Sequence, residues 1–223
     1  MVLSFKIPID GNALFVYFKP NVRFIFFIMP KPKNLKKAEK ISRVIAHLFA
    51  RNGYHKTSMR DIARKLGMNQ SSLYHYFKSK EDMLFKLMND AMDDAMPVLE
   101  EICQTRISAE EKLRNVLGFY TRYFAGDQDR LILLVNEREV LSEKYRDILI
   151  EKERRYVRLF KEIFEDLSTQ KKARDIPPQV ATFAFLGMVH YTINWYRQSG
   201  PVGLDQLAEF FVDIFTRGIL QRT

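Results

Sequence analysis

Cysteine is almost missing from this sequence, which has a single one, Cys103, in 223 residues. An intramolecular disulfide is therefore excluded, and the pattern is typical of a protein in the reducing cytoplasm. We expect Cys103 to behave as a small buried hydrophobic residue.

Motifs that carry catalytic or metal chemistry are also missing. The four histidines are scattered along the chain, and none lies four residues from a second metal ligand. The sequence has no glycine-rich phosphate loop and no nucleophile elbow. We therefore expect no enzymatic activity, no metal and no cofactor.

Long hydrophobic runs are absent from the first part of the chain, although it is rich in phenylalanine. Its apolar runs, Ala13–Phe18 and Phe24–Met29, are too short to span a bilayer, and the core of a secretory signal is missing too. Strand-like alternation is present there without a partner strand elsewhere in the chain. We expect translation to begin at Met29 and residues 1–33 to be a non-structural extension; a membrane anchor is the alternative.

Acidic residues are scarce in one block of the chain. Residues 29–80 hold thirteen Lys or Arg and two acidic residues, whereas residues 81–223 hold 20 basic and 24 acidic residues. A solvated charged face would not explain this division. A basic module joined to a mildly acidic body predicts a nucleic-acid-binding head at 34–80 and a separate domain at 81–223.

Helical periodicity in the head predicts a helix-turn-helix. A first amphipathic helix covers about residues 34–51, and a second begins at Thr57 or Ser58 and stops at Gly67. Asn69 then caps a short helix over residues 70–76. Two helices joined by a tight turn containing glycine have the geometry that places the second helix in the major groove, about 12 Å wide.

The outward residues of the third helix offer hydrogen bonds to DNA, and Gln70 suits adenine. The start of the second helix offers free amides to a phosphate. An alternative stays open at two of these positions. His75 could be a surface residue without a role, and Tyr76 could be mainly a packing residue. The candidate DNA-binding residues are Thr57, Ser58, Met59, Gln70, Ser71, Ser72, Tyr74, His75, Tyr76 and Lys80.

The remaining sequence predicts further helices, which gives an all-α fold of about nine helices. The predicted helix over residues 179–197 is apolar on more than one face, and the last helix nearly so. We expect these two helices to form a twofold interface in a homodimer, which also sets two recognition helices about 34 Å apart. Burial of the same faces inside a monomer is the alternative.

The run GYHKTSMRDIARKLGMNQSSLYHYFKSKEDML, residues 53–84, resembles the DNA-binding domain of the TetR family of regulators. It matches in the glycine after the first helix, the Thr-Ser start of the second, the DIA core, the glycine turn, the LYxYF box and the SKE cap. The resemblance implies that Ser71, Tyr74 and His75 contact operator DNA and that Lys80 meets a phosphate.

The run over residues 187–220 is similar to TetR-family members that control fatty-acid or sterol breakdown and respond to acyl-CoA thioesters. It matches in the WYR-x-x-GP stretch and in the closing Arg217-Gly218-Ile219-Leu220. The resemblance implies a largely apolar pocket with basic residues at its mouth, although helical-spaced aromatic residues also simply pack. The candidates are Phe119, Arg122, Tyr123, Phe124, Arg158, Phe183, Tyr191 and Trp195, with Arg154 and Arg197 as further anion partners.

Two functional hypotheses follow. The first is a repressor on double-stranded operator DNA, released by a small hydrophobic effector such as an acyl-CoA thioester. The second is an architectural DNA-binding dimer without a small-molecule response. A cavity of roughly 300–1,000 Å³ in the body separates them, since only the first hypothesis needs one.

Overall fold

The computed structural model describes residues 3–9, 12–19, 22–28 and 33–220, with side chains described from Lys37 to Leu220. Ten helices and one 3-10 turn lie in these ranges, against about nine predicted helices. From Lys33 on, the elements are helical, which confirms the predicted all-helical fold of the head and body. No helix of the described residues is long and apolar enough to cross a membrane.

The N-terminal segment contains three strands, β1 (Leu3–Ile9), β2 (Asn12–Lys19) and β3 (Val22–Ile28). They form an antiparallel sheet in the order β1-β2-β3. The absence of a partner strand elsewhere was therefore the wrong criterion, because each strand pairs with its neighbour in sequence. Met29, the expected start of translation, lies outside the described residues.

The head consists of α1 (Lys33–Asn52), α2 (Met59–Leu66) and α3 (Gln70–Tyr74). Their apolar stripes meet in one core, in which Ile45, Phe49, Ile62 and Leu73 are fully buried. Gly67 ends α2 with φ +63° and ψ 32°, a left-handed conformation that glycine adopts without a steric penalty. This turn sets the direction in which α3 leaves α2.

The long helix α4 (Lys80–Gln104) joins the head to the body, because it packs against α1 as well as against α5 and α7. Ser79 caps it by accepting a hydrogen bond from the amide of Asp82, and Glu81 and Asp82 occupy the first turn. Acidic residues there are favourable beside the positive end of the helix dipole.

The body is a bundle built around α5. The helices are α5 (Ala109–Gly126), α6 (Gln128–Asn136), α7 (Glu143–Thr169), α8 (Pro178–His190), α9 (Thr192–Trp195) and α10 (Leu204–Ile219), with a 3-10 turn at Arg138–Val140. The helices α6, α7, α8 and α10 pack on α5 from several sides, the short α9 packs on α6 and α8, and aromatic side chains fill the centre.

One helix boundary differs from the prediction. The single helix expected over residues 179–197 is two helices, α8 and the short α9, with Tyr191 between them. The Thr192 hydroxyl donates a 2.6 Å hydrogen bond to the carbonyl oxygen of Val189. Threonine hydroxyls that bond the preceding turn bend helices, which apolar periodicity alone does not reveal.

Candidate functional site

Asn69 organises the start of the recognition helix α3. Its side-chain oxygen accepts hydrogen bonds from the amide of Ser72 at 2.8 Å and from the hydroxyl of Ser71 at 3.0 Å. The Ser72 hydroxyl donates to the same oxygen at 2.5 Å. The predicted cap is therefore present, and it also fixes the two serine side chains that we expect to approach DNA.

The outer face of α3 is open to solvent. Gln70, Ser71 and His75 are exposed, and the exposed fractions of Tyr74 and Tyr76 are 51% and 40%. Exposed basic residues also occur on the rest of the head; they include Arg43, Arg51, Lys56, Arg60, Arg64, Lys65 and Lys78. Polar and aromatic groups on one short helix, with many cations around it, suit a groove flanked by phosphates.

The start of α2 departs from the predicted phosphate site. Thr57 is 1% exposed, and its hydroxyl donates a 2.9 Å hydrogen bond to the carbonyl oxygen of Gly53. Its side chain is therefore committed to the turn after α1 and not to DNA. Ser58 is the exposed cap of α2 and forms a reciprocal capping box with Asp61, while Met59 is half-buried against the core.

Lys80 makes contacts that the sequence did not indicate. Its Nζ lies 4.1 Å from the centroid of the Tyr54 ring and 3.4 Å from the carbonyl oxygen of His55. Burial lowers the pKa of Lys80, although the carboxylate of Glu137 opposes that shift. The Tyr54 amide donates a 3.5 Å hydrogen bond to Glu137, so a residue of the body lies against the junction of α1, α2 and α4.

The body contains a cavity of about 730 Å³, within the range expected for a ligand sensor. Three predicted pocket residues line it, Phe124, Arg158 and Phe183, as does the further candidate Arg154. The other lining residues were not predicted from the sequence; they are Met92, Tyr120, Leu134, Val135, Arg138, Ile150, Glu153, Tyr156, Val157, Gln179, Leu186, Gly187 and His190.

Three predicted pocket residues on α5 lie away from the cavity. Arg122 pairs with Asp205 of α10 at 2.7 Å. Tyr123 donates a 3.4 Å hydrogen bond to Asp94, and Phe119 stacks on its ring. Helix geometry explains why Phe119 and Tyr123 do not line the cavity. Residues 119 and 123 lie about 100° around the helix from residues 120 and 124, which do line it.

Two further predicted pocket residues point outward. Tyr191 is 66% exposed and Trp195 is 50% exposed; neither lines the cavity, and both follow the end of α8. Arg197 does not line the cavity either, and its Nη1 donates a 3.0 Å hydrogen bond to the carbonyl oxygen of Tyr196.

The polar groups of the cavity fall into an exposed set and a buried set. The side chains of Arg154 and Arg158 are 68% and 56% exposed, and both pair with Glu151 at 3.4 Å. Arg138 of the 3-10 turn donates a 2.9 Å hydrogen bond to Glu153. These arginines lie at the opening, where an anionic group would stay partly hydrated.

The buried set consists of Tyr120, Tyr156 and His190. The Tyr120 hydroxyl and Nε2 of His190 are 3.0 Å apart, and the Tyr156 hydroxyl donates a 2.6 Å hydrogen bond to the carbonyl oxygen of Met92. Burial raises the pKa of both tyrosines and lowers the pKa of His190. All three side chains are therefore held neutral near pH 7.

A cluster of exposed apolar side chains covers the outer faces of α8, α9 and α10. Exposed fractions range from 46% for Phe210 to 66% for Tyr191. Several large apolar side chains exposed on neighbouring elements indicate an interaction face. We call it the α8–α10 face; its members are Val180, Phe183, Tyr191, Trp195, Phe210 and Ile214, of which Phe183 also lines the cavity.

Comparison with protein families gives two matches along the chain. Residues 41–87 match the family described as bacterial regulatory proteins, tetR family. Residues 106–219, just over half of the chain, match the tetracyclin repressor-like C-terminal domain. The first match runs from within α1 to the start of α4, and the second runs from just before α5 to the end of α10.

Two characterised relatives are similar over most of the chain. The HTH-type transcriptional repressor KstR2 of Mycolicibacterium smegmatis is 27% identical over 83% of this chain and 91% of its own length. The fatty acid metabolism regulator protein of Bacillus subtilis is 25% identical over 85% of this chain and 96% of its own length.

Two solved structures share the fold. KstR2 of Mycobacterium tuberculosis, a ketosteroid transcriptional regulator, aligns with a TM-score of 0.79 at 21% identity over 86% of this chain and 98% of its own. AibR, solved in complex with isovaleryl coenzyme A and operator DNA, aligns with a TM-score of 0.71 at 28% identity over 80% of this chain and 97% of its own.

Proposed function

This chain belongs to the TetR family of transcriptional regulators, and on that basis we propose that it is a dimeric repressor released from operator DNA by an acyl-CoA thioester. The observation that carries the effector half of the proposal is the 730 Å³ cavity between apolar walls and three arginines. An architectural DNA-binding protein has no need of such a cavity.

DNA recognition is assigned to α3. The residues proposed to reach base edges are Gln70, Ser71, Tyr74 and His75, because they are exposed on this helix. The amides in the first turn of α2 are proposed to bind a phosphate, as helix N-termini commonly do. The amide and hydroxyl of Ser58 donate to Asp61, so Ser58 would have to exchange that carboxylate for a phosphate oxygen. Phosphate contacts supply affinity and orientation, whereas base contacts supply sequence preference.

Dimerisation is assigned to the α8–α10 face. Its six large apolar side chains are between 46% and 66% exposed, and pairing with a second copy would remove them from water. A twofold axis through this face presents two copies of α3 to one side of a DNA duplex, about 34 Å apart for adjacent half-sites.

The cavity has two kinds of lining, which suit the two parts of an acyl-CoA thioester. The walls hold apolar side chains such as Leu134, Val157 and Leu186, which suit a hydrocarbon acyl group. Arg138 and the two arginines of α7 suit the phosphates of coenzyme A. Two similar proteins, a fatty acid metabolism regulator and one solved with isovaleryl coenzyme A, also support a thioester.

Coupling between cavity and head is assigned to the 3-10 turn. Arg138 lines the cavity, and the preceding residue, Glu137, accepts the hydrogen bond from the Tyr54 amide. A phosphate that competes with Glu153 for Arg138 would pull this turn. Glu137, directly before the turn, accepts the hydrogen bond from Tyr54, and its charge acts on Lys80, where α4 begins, so the displacement would change the spacing of the two heads.

The test is fluorescence anisotropy on DNA from upstream of the protein's own gene, at two salt concentrations, with and without a long-chain acyl-CoA. Tight, salt-sensitive binding that acyl-CoA weakens about a hundredfold, equivalent to about 2.7 kcal/mol, supports the proposal. Equal affinity with and without every acyl-CoA tested would overturn the effector assignment. Equal weak binding to this DNA and to unrelated DNA would overturn the assignment of that operator.

A further inference from the structure

A hydrogen-bonded pair of neutral side chains lies on the inner wall of the cavity. Tyr120 belongs to α5 and is 5% exposed, and His190 is the last residue of α8. The Tyr120 hydroxyl and His190 Nε2 are 3.0 Å apart, and both residues line the cavity. This pair is on different helices from the arginines at the opening, which lie on α7 and on the 3-10 turn.

We infer that Tyr120 and His190 form a subsite for a neutral oxygen, a keto or hydroxyl group, on the carbon skeleton of the effector. The inference rests on the proposed function, because it takes the cavity to hold the apolar part of the effector. It adds a chemical class: an acyl group oxygenated at a position away from the thioester, in contrast to a plain saturated chain.

The surroundings of Tyr120 disfavour an anionic group. Its ring packs against Phe124, Phe160 and Phe185, with ring centroids 4.4, 5.6 and 5.9 Å away. Burial raises the pKa of Tyr120 and lowers the pKa of His190, so neither supplies a charge. An anion placed there would lose its hydration and gain no cation from the pair, and the carboxylate of Glu153, whose charge also raises the pKa of Tyr120, would repel it. A ketone or alcohol needs only one hydrogen bond.

The pair can bond either type of neutral oxygen. When His190 Nε2 carries the proton and donates to the Tyr120 oxygen, the phenol proton of Tyr120 is available to a ligand carbonyl. When Tyr120 donates to Nε2, its oxygen can accept from a ligand hydroxyl. Tyr120 and His190 bond each other, and a saturated chain at the same place would leave the remaining donor or acceptor of the pair without a partner, which is unfavourable.

Tyr156 provides the contrast within the same wall. It also lines the cavity and is 4% exposed, but its hydroxyl donates to the carbonyl oxygen of Met92 at 2.6 Å. Its proton is therefore already bonded to the backbone. The two tyrosines are alike in burial and differ in what their hydroxyl groups contact, which makes Tyr156→Phe a matched control for Tyr120→Phe.

The experiment uses two small probes without coenzyme A, tetralin and 1-tetralone, which share a two-ring skeleton and differ by one carbonyl. Calorimetry gives the affinity of each probe for the full chain and for the Tyr120→Phe and Tyr156→Phe variants. We expect Tyr120→Phe to weaken 1-tetralone binding up to about tenfold, as loss of one hydrogen bond implies, and to change tetralin by less than about twofold. Tyr156→Phe should leave the ratio of the two affinities unchanged.

The inference would be overturned if Tyr120→Phe weakened both probes equally or affected neither. It would also be overturned if neither probe bound to the wild-type chain. If Tyr120→Phe does not fold, the infrared carbonyl band of 1-tetralone bound to the wild-type chain decides. A carbonyl band at lower frequency than that of 1-tetralone in alkane solution supports a hydrogen bond to the carbonyl. A band at the alkane frequency contradicts the inference. A parallel titration with acyl-CoA tests the proposed function separately, because its failure leaves the probe result intact.

Discussion

The Nζ atom of Lys80 lies 4.1 Å from the centroid of the Tyr54 ring, which joins the first residue of α4 to the segment between α1 and α2. The edge of the Tyr54 ring also meets Phe49 of the head core, with centroids 5.3 Å apart. The helix that leads to the body is therefore fastened to the head through an aromatic ring and a cation.

The first prediction concerns this contact. Tyr54→Leu and Lys80→Met, combined in a double-mutant cycle, should give a coupling of about 0.5–1 kcal/mol in the free energy of unfolding. Tyr54→Leu alone should lower that free energy further, because it also loses the edge contact with Phe49. Denaturant unfolding of the four proteins measures the coupling, and strictly additive single effects would contradict it.

The second prediction concerns the cap of the recognition helix. Asn69→Ala should lower the free energy of unfolding by about 1 kcal/mol and also weaken operator binding, because Asn69 holds the first turn of α3 and the hydroxyls of Ser71 and Ser72. Chemical unfolding and anisotropy on the operator give the two quantities.

Ser108→Ala is the matched control for the Asn69 variant. Ser108 caps α5 through a capping box with Glu111, in the body and away from α3. Its loss should lower the free energy of unfolding by a similar amount, about 1 kcal/mol, and leave operator affinity unchanged. Equal losses of affinity in both variants would show that general destabilisation, and not α3, sets DNA binding.

The third prediction concerns the α8–α10 face. Ile214 is 62% exposed on α10, and Ile214→Lys should place a charge inside the proposed dimer interface and shift the protein toward monomer. Ile148, 39% exposed on α7, lies outside that face, so Ile148→Lys should stay dimeric. Sedimentation velocity measures both, and a dimeric Ile214→Lys protein would move the interface elsewhere.

The fourth prediction concerns Cys103, whose thiol has its pKa raised to about 11 by burial. Below that pH the thiol stays protonated, and only the thiolate reacts with alkylating reagents. Between pH 7 and pH 9 the folded protein should therefore react with iodoacetamide at least about tenfold more slowly than the urea-unfolded chain. Because the chain has one cysteine, labelling reports this position alone, and equal rates would contradict its burial.

The helix-turn-helix could be predicted from the sequence because its signals are local. The left-handed glycine at Gly67 and the caps at Asn69 and Ser79 each act within a few residues, and all three are present in the structure. Thr57 and Ser58 show the limit of this reasoning. Both are hydroxyl residues at a helix start, and only the packing of the preceding turn buries one and exposes the other.

The cavity could be predicted only in part, because it depends on contacts between distant helices. The aromatic residues of α5 repeat at helical spacing on two neighbouring faces, so the pattern cannot tell Phe119 and Tyr123 from Tyr120 and Phe124. Tyr156 and His190 gave no signal, since their roles arise from α5 and α8 meeting α7. The outward-facing aromatic residues beyond α8 were misplaced by the break in that helix.

The most direct test of the account titrates acyl-CoA into the protein alone and into its operator complex. If the cavity and α3 are coupled, thermodynamic reciprocity requires acyl-CoA to bind the complex more weakly, by the same factor by which it weakens DNA binding, about a hundredfold. Calorimetry gives both affinities. We expect this matched loss, and an acyl-CoA affinity that is the same with and without the operator would contradict the proposed coupling.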